Sequence, residues 1–323
     1  MIKKPFLITA EKVKVYFFTI MYAIIYLYLW SEIHLIKNFC TQSKKIGLLL
    51  CCEGVVFMKE KNYDLELSLI LARVYKSLKI KSGHILDILH KEFTQDDLSF
   101  FPRITLLAAQ GPKGLTKKVR TLAVIIQLMY LSTEIHGQVP ENRKNNNFLR
   151  DFQLPILTGD FLYSKVSQII CMEDCFEFMD ELVDYFTELN ESWIKYLEQK
   201  ISLEELCEIW YGGLAARCMG MAANSSGFNN YKLKVFRELG FGLGILFGAQ
   251  KFKLSYEEIE KSWQIVTNAL KQLPPNEAKK ILVKEAIGYY VKVADAKYLE
   301  KKDLENLVPQ FALFNEIMLS HVN

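Results

Sequence analysis

Proline is scarce in this chain, with 8 in 323 residues and none between Pro155 and Pro274. A stretch of that length can hold several uninterrupted helices, because nothing in it removes a backbone donor or clashes with the preceding turn. Strand-type alternation bounded by hairpin turns is lacking, and so are short repeats and low-complexity tracts, which argues against sheets and solenoids. Net charge is small: 40 basic residues face 37 acidic ones, leaving +3. That balance gives no electrostatic footprint for nucleic acid. The 7 cysteines are odd in number and scattered, without a Cys-x-x-Cys pair or a His/Cys grouping. This speaks against a disulfide framework or a zinc site and for a reducing, cytoplasmic setting. Cys171 and Cys175 stand one helical turn apart, where they read as small buried residues sharing a face.

What is present suits a large core. Half the residues are hydrophobic and 13% are aromatic, which argues against overall disorder. Residues 15–30 carry no charge and follow Lys3, Lys4, Lys12 and Lys14. Sixteen helical residues span roughly 24 Å, short of the ~30 Å hydrocarbon core. Three readings stay open for this segment: a short signal-anchor associating with a membrane, an interfacial or core helix, or a stretch outside the working protein, which would then start at Met58. The expected organisation is an N-terminal extension over 1–57 and one helical domain over 58–323.

From Met58 onward the periodicity is helical. Met179, Leu182, Val183, Phe186 and Leu189 mark one amphipathic helix. Ser202-Leu203-Glu204-Glu205 and Ser255-Tyr256-Glu257-Glu258 read as capping boxes, in which a hydroxyl and a carboxylate satisfy free N–H groups at a helix start. Leu273-Pro274-Pro275-Asn276 ends one helix and begins another. Gly240, Gly242 and Gly244 lie inside a helical pattern with no strand before them, so they read as close-packing positions and not as a phosphate cradle.

Two segments carry a resemblance. The first is Leu131-Ser132-Thr133-Glu134-Ile135-His136-Gly137-Gln138-Val139-Pro140-Glu141, followed by Leu157-Thr158-Gly159-Asp160-Phe161-Leu162. The second is Phe236-Arg237-Glu238-Leu239-Gly240-Phe241-Gly242-Leu243-Gly244-Ile245-Leu246-Phe247. In order and spacing the two resemble the trans-prenyl diphosphate synthase (polyprenyl synthetase) family, over about residues 58–293. In that family one helix ends in Leu-Ile-His-Asp-Asp-x-x-Asp, the next opens with Gly-Asp-Phe-Leu, and Tyr-Gly-x-x-Leu-Gly-x-x-Phe-Gln runs into a second Asp-Asp-x-x-Asp. The resemblance implies an all-α, antiparallel helical bundle around a central cavity, with the two motifs facing one another. It also implies the family's chemistry, in which magnesium held by the two motifs neutralises the diphosphate that leaves an allylic substrate.

The residues that would hold that magnesium are mostly missing. The aspartate positions of the first motif are Gly137, Gln138 and Glu141, and those of the second are Lys251, Phe252 and Ser255. Magnesium takes hard oxygen ligands, and five of the six carboxylates are replaced. The family Gln after Phe247 is Gly248, and the paired arginines after the first motif have no counterpart, with Asn146 and Asn147 falling there. The family's Gly-Lys-x-x-Arg-Pro appears as Asp97-Leu98-Ser99-Phe100-Phe101-Pro102, its histidine before the first motif as Tyr130, and its Lys-Thr pair as Tyr211-Gly212. Phe101, Tyr130, Tyr211 and Phe252 therefore stand where the family handles phosphate. An apolar mouth made of such rings disfavours a diphosphate.

The residues that remain suggest structural work. Asp160 is expected to cap a helix start, and His136 has no acid–base partner evident in the sequence. Glu141 alone would hold a cation weakly. Lys251 suits an anion, but one lysine does not replace several divalent ions. No catalytic residue, metal ligand or cofactor is expected. The leading reading is a non-catalytic subunit assembling with a catalytic prenyl diphosphate synthase, or with itself. A stand-alone isoprenoid- or lipid-binding protein and an active prenyltransferase with atypical ligands stay as alternatives.

Overall fold

The computed structural model describes residues 60–79, 85, 93–137 and 153–294. Residues 15–30, Met58, Gln138 and Glu141 lie outside them. Every regular element among the described residues is helical. In chain order these are α1 (Glu60–Leu78), α2 (Gln95–Ala108), α3 (Lys117–Gly137), α4 (Leu154–Met172), a 3-10 turn (Phe176–Phe178), α5 (Met179–Leu197), α6 (Leu203–Cys207), a π-helical segment (Glu208–Gly213), α7 (Leu214–Ser225), α8 (Asn230–Ala249), α9 (Tyr256–Gln272) and α10 (Glu277–Val293). Most of the buried hydrophobic residues form one cluster running from Tyr63 to Ala294.

Helix α3 is the central post. Every residue from Thr121 to Thr133 is buried, and α1, α2, α4 and α7 pack around it. A helix with no polar face belongs in the middle of a bundle, and each of its fully buried Leu and Ile side chains contributes roughly 1.5–3 kcal/mol. Helix α8 is the second post, touching α6, the π segment, α7, α9 and α10. Its glycines explain how. A Cβ at Gly240 would lie 2.4 Å from the Ala215 carbonyl oxygen, and one at Gly244 would lie 2.3 Å from that of Tyr211. Gly248 continues the same face, where a Cβ would lie 2.7 Å from the Cys207 sulfur. Gly242 points the other way, where a Cβ would lie 2.9 Å from the Ser262 carbonyl oxygen of α9.

Several local expectations are met by hydrogen bonds. Ser202 and Glu205 form a complete capping box, with the Ser202 amide donating to Glu205 Oε2 at 2.7 Å and the Glu205 amide to Ser202 Oγ at 3.1 Å. At Ser255 only the hydroxyl half is made, accepting from the Glu258 amide at 3.3 Å, while the Glu258 carboxylate takes Lys261 at 2.9 Å. Asn276 caps α10 by accepting from the Lys279 amide. The stripe on α5 buries Leu182, Tyr185, Leu189 and Ser192, with Val183 half-buried.

Three readings of the sequence need correction. Helix α4 begins at Leu154, so Asp160 lies in its second turn and caps no helix start; Pro155, pre-set for a first turn, marks the true beginning. His136 does have an acidic neighbour, with Asp160 Oδ1 3.1 Å from its Nε2. Cys171 and Cys175 do not share a helix face, because α4 stops at Met172 and Cys175 is buried in the turn beyond it. No helix among the described residues is long and apolar enough to cross a membrane.

Candidate functional site

The four rings singled out in the sequence come together between α2, α3, the π segment and the end of α8. Phe101 and Tyr130 have ring centroids 4.9 Å apart, Tyr130 and Tyr211 6.2 Å, and Tyr211 and Phe252 5.8 Å. Phe247 joins them, stacked on Phe100 at 4.2 Å and set edge-on to Tyr130 and Tyr211 at 5.8 Å each. Phe100, Phe101, Tyr130, Tyr211 and Phe247 are each no more than 1% exposed. Phe252 is half-buried at the rim, against Trp210 as well as Tyr211. Crossed and stacked rings at these spacings interlock favourably.

This assembly is not purely apolar, which revises the expectation of an apolar mouth. Lys251, just past α8, reaches into it. Its Nζ lies 2.8 Å from Asp97 Oδ1 and 3.0 Å from Glu134 Oε2. Two tyrosines complete the arrangement: Tyr130 donates to Asp97 Oδ1 at 2.7 Å, and Tyr211 donates to Glu134 Oε1 at 2.5 Å. Asp97 Oδ2 is held by the Thr94 amide and hydroxyl, both at 2.8 Å, in a capping box at the start of α2. Gln127 donates to the Asp97 carbonyl at 2.8 Å. The carboxylates of Asp97 and Glu134 and the hydroxyls of Tyr130 and Tyr211 are thus paired across α2, α3 and the π segment, which offsets the cost of burying them.

The electrostatics follow from burial and pairing. Burial alone would push the Asp97 carboxyl up, but the Lys251 amine, the Tyr130 hydroxyl and the Thr94 amide together hold it below its ordinary value. Burial alone would pull the Lys251 amine down, and the carboxylates of Glu134 and Asp97 outweigh that and hold it up. Glu134 stays raised because its burial exceeds the help from Lys251 and Tyr211. Both tyrosines are pushed well up, first by burial and then by the neighbouring Glu134, so they act as neutral donors.

The described ends of the two motifs face one another, with Gly137 and Phe252 both against Trp210 and Lys251 paired with Glu134, but their residues form no single ligand set. Gly137 is the exposed last residue of α3, and a Cβ there would meet only the Trp210 ring, at 3.5 Å. Lys251 lies in the aromatic and ionic assembly, and Phe252 packs on its rim. Ser255 caps α9, beside Glu208 and Glu258 on the surface. These residues do not fit magnesium: one is a cation, one a ring, one an engaged cap, and one has no side chain. Among the described residues no group of three or more His, Cys, Asp and Glu is placed to hold a metal. Glu134 is the residue that sequence reasoning left without a role. The signal was there, since it is the one acidic or basic side chain in the run from Thr121 to Ile135, and a charge on a helix buried all round needs a partner.

No protein-family model matches the chain, and no curated protein does. Solved structures do. A geranylgeranyl pyrophosphate synthase from Corynebacterium glutamicum, in complex with calcium and isoprenyl diphosphate, superposes with a TM-score of 0.59 at 15% identity, over 75% of this chain and 100% of that one. A decaprenyl diphosphate synthase from Rhodobacter capsulatus gives 0.57 at 13% identity, over 73% and 98%. A deletion mutant of the mint heterotetrameric geranyl pyrophosphate synthase gives 0.55 at 16% identity, over 71% and 99%. The chain has the helical fold of the trans-prenyl diphosphate synthases. Identities this low carry the fold and leave the activity to be argued from the residues.

Proposed function

We propose that this chain is a non-catalytic prenyl-synthase-like protein that works as a subunit beside an intact prenyl diphosphate synthase. The observation that carries the reading is the lysine-centred plug: where the resemblance puts phosphate and metal, there are buried rings and an amine already paired with two carboxylates. A diphosphate brought there would displace packed aromatics and meet Asp97 and Glu134, with one amine to offset them. The fold shared with the mint heterotetrameric synthase supports assembly of this kind, because a scaffold kept without its chemistry still presents helix faces. In this reading the partner supplies all the metal-binding carboxylates.

The test has two arms. Pure full-length chain, given magnesium, isopentenyl diphosphate and geranyl or farnesyl diphosphate, is expected to form no longer diphosphate; magnesium-dependent turnover overturns the reading. Purification from the native cell is expected to bring with it a synthase that keeps both aspartate-rich motifs. Recovery of a bound isoprenoid and no synthase would replace the subunit reading with lipid binding.

A further inference from the structure

We propose that the Lys251 ammonium is the bundle's resident cation, filling a two-carboxylate cleft between Asp97 and Glu134 that would otherwise take one hard divalent ion. Neither carboxylate stands at an aspartate position of the two motifs. They come from separate helices: Asp97 from the first turn of α2 and Glu134 from the last turn of α3. Each is anchored by neighbouring donors. Asp97 Oδ2 accepts from the Thr94 amide and hydroxyl, and Glu134 Oε1 accepts from Tyr211. Asp97 Oδ1, which also accepts from Tyr130, and Glu134 Oε2 are aimed at a single point, and Lys251 Nζ occupies it at 2.8 and 3.0 Å.

The chemistry of that point is what a hard divalent cation takes: two anionic oxygens of matching total charge, with the Tyr130 hydroxyl beside Asp97 Oδ1 as a neutral oxygen. The ammonium carries only half that charge, but it has two advantages. It is tethered, so its effective concentration never falls, and it is flanked by the rings of Tyr130 and Phe247 at 5.7 and 6.0 Å, which attract a cation from faces that offer a metal no ligand. The Lys251 side chain is 26% exposed, so the cleft opens to solvent once the amine is removed. The wild-type bundle is accordingly closed by its own lysine and indifferent to divalent ions. This inference does not depend on the subunit reading.

The experiment uses the full-length chain and two variants, Lys251→Met and Lys251→Met with Glu134→Gln. Helical melting is followed in EDTA and in about 10 mM calcium or magnesium chloride, above the range of weak carboxylate sites, with ionic strength held constant. Wild type is expected to melt alike in all three. Lys251→Met should melt lower in EDTA and rise by about 3 °C in calcium, the shift expected of a weak site filled several-fold above its dissociation constant. Calcium at 2.3–2.6 Å suits the spacing left by an amine better than magnesium at about 2.0–2.1 Å, so the magnesium shift should be smaller. The double variant should lose the rise. If Lys251→Met is unfolded in EDTA, calcium should restore its helical signal. A wild-type shift equal to the variant's, a rise that survives Glu134→Gln, or no calcium effect on Lys251→Met would each overturn the proposal.

Discussion

Along the middle of α8, Gly240 and Gly244 press the helix onto the carbonyls of Ala215 and Tyr211; just past its end, Lys251 reaches the carboxylates of α2 and α3. The first contact is steric and made of backbone, so it has no alternative arrangement and does not respond to solvent conditions. The second is ionic and made of side chains, so its strength depends on protonation and on what else can neutralise two acids. The seam fixes where α8 lies. The ionic junction fixes what the end of α8 can do there, and it ties that end to helices the seam does not touch.

The comparison breaks most visibly at the seam. Gly244→Val would drive branched carbons into the Tyr211 carbonyl, 2.3 Å from an ideal Cβ, and should lower stability by about 3 kcal/mol, near the top of the overpacking range. Urea unfolding checks this, and the loss should be the same at every pH where the protein is folded. A value below about 1 kcal/mol would mean that α8 can shift off the π segment.

The ionic junction should give a smaller, conditional effect. Lys251→Met is expected to cost about 2 kcal/mol, below the 3–5 of a fully buried broken pair because the amine keeps some water. The sign of its pH dependence follows from the shifts. Lys251 is raised, so its contribution is complete below its unfolded value and is lost as pH rises through its higher folded value. Asp97 is lowered, so its contribution holds above its unfolded value and is lost as pH falls through its depressed folded value. Glu134 is raised and works in the opposite sense, weakening the fold as pH rises above its unfolded value. The gap between wild type and Lys251→Met should therefore be flat from about pH 6 to 10 and close at both extremes. Melting temperatures of both proteins within and beyond that range test it, and a gap independent of pH down to about 2 would show that the lysine acts by packing alone.

Finer substitutions sharpen the contrast. Tyr130→Phe keeps the ring among Phe101, Tyr211 and Phe247 but removes a donor to a buried carboxylate, at about 1.5 kcal/mol. Combined with Lys251→Met its cost should be non-additive, because both act on Asp97 Oδ1; a double-mutant cycle with no coupling would separate the two bonds. Ser255→Ala removes only a cap, at about 1 kcal/mol, and should add simply to Lys251→Met.

The parts of this molecule legible in sequence are those decided over one or two helical turns. The capping box at Ser202, the break at Leu273–Asn276 and the buried stripe of α5 are local hydrogen-bonding or periodicity signals, and the glycines of α8 stand out because nothing else tolerates such close approach. The aromatic replacements at Phe101, Tyr130, Tyr211 and Phe252 were legible only through a resemblance, and they do meet. Pairings between distant segments were not legible. Lys251 and Glu134 are 117 residues apart, and Asp97 looked like the remnant of another motif when it is the central acceptor of the junction. The start of α4 was misplaced because Gly159-Asp160 resembles a helix opening, although Pro155 carries the stronger local signal.

The π-helical turn at Glu208–Gly213 has a consequence for how this chain tolerates gains and losses of residues. Such a turn holds one residue more than ordinary α winding would. Everything after it is rotated by about 100° from where an unbroken helix would place it. Tyr211, whose hydroxyl meets Glu134 and whose carbonyl lies under Gly244, sits within the turn, and Ala215, under Gly240, lies just beyond it. Deleting one residue from 208–213 would restore regular winding and leave Ala215 under Gly240, because the turn already sets it back by one helical position; the residues displaced would be those inside the turn, Tyr211 among them. The extra residue of this short turn therefore bears on Tyr211 and the plug, while the contact of Ala215 with Gly240 beyond it would survive its loss.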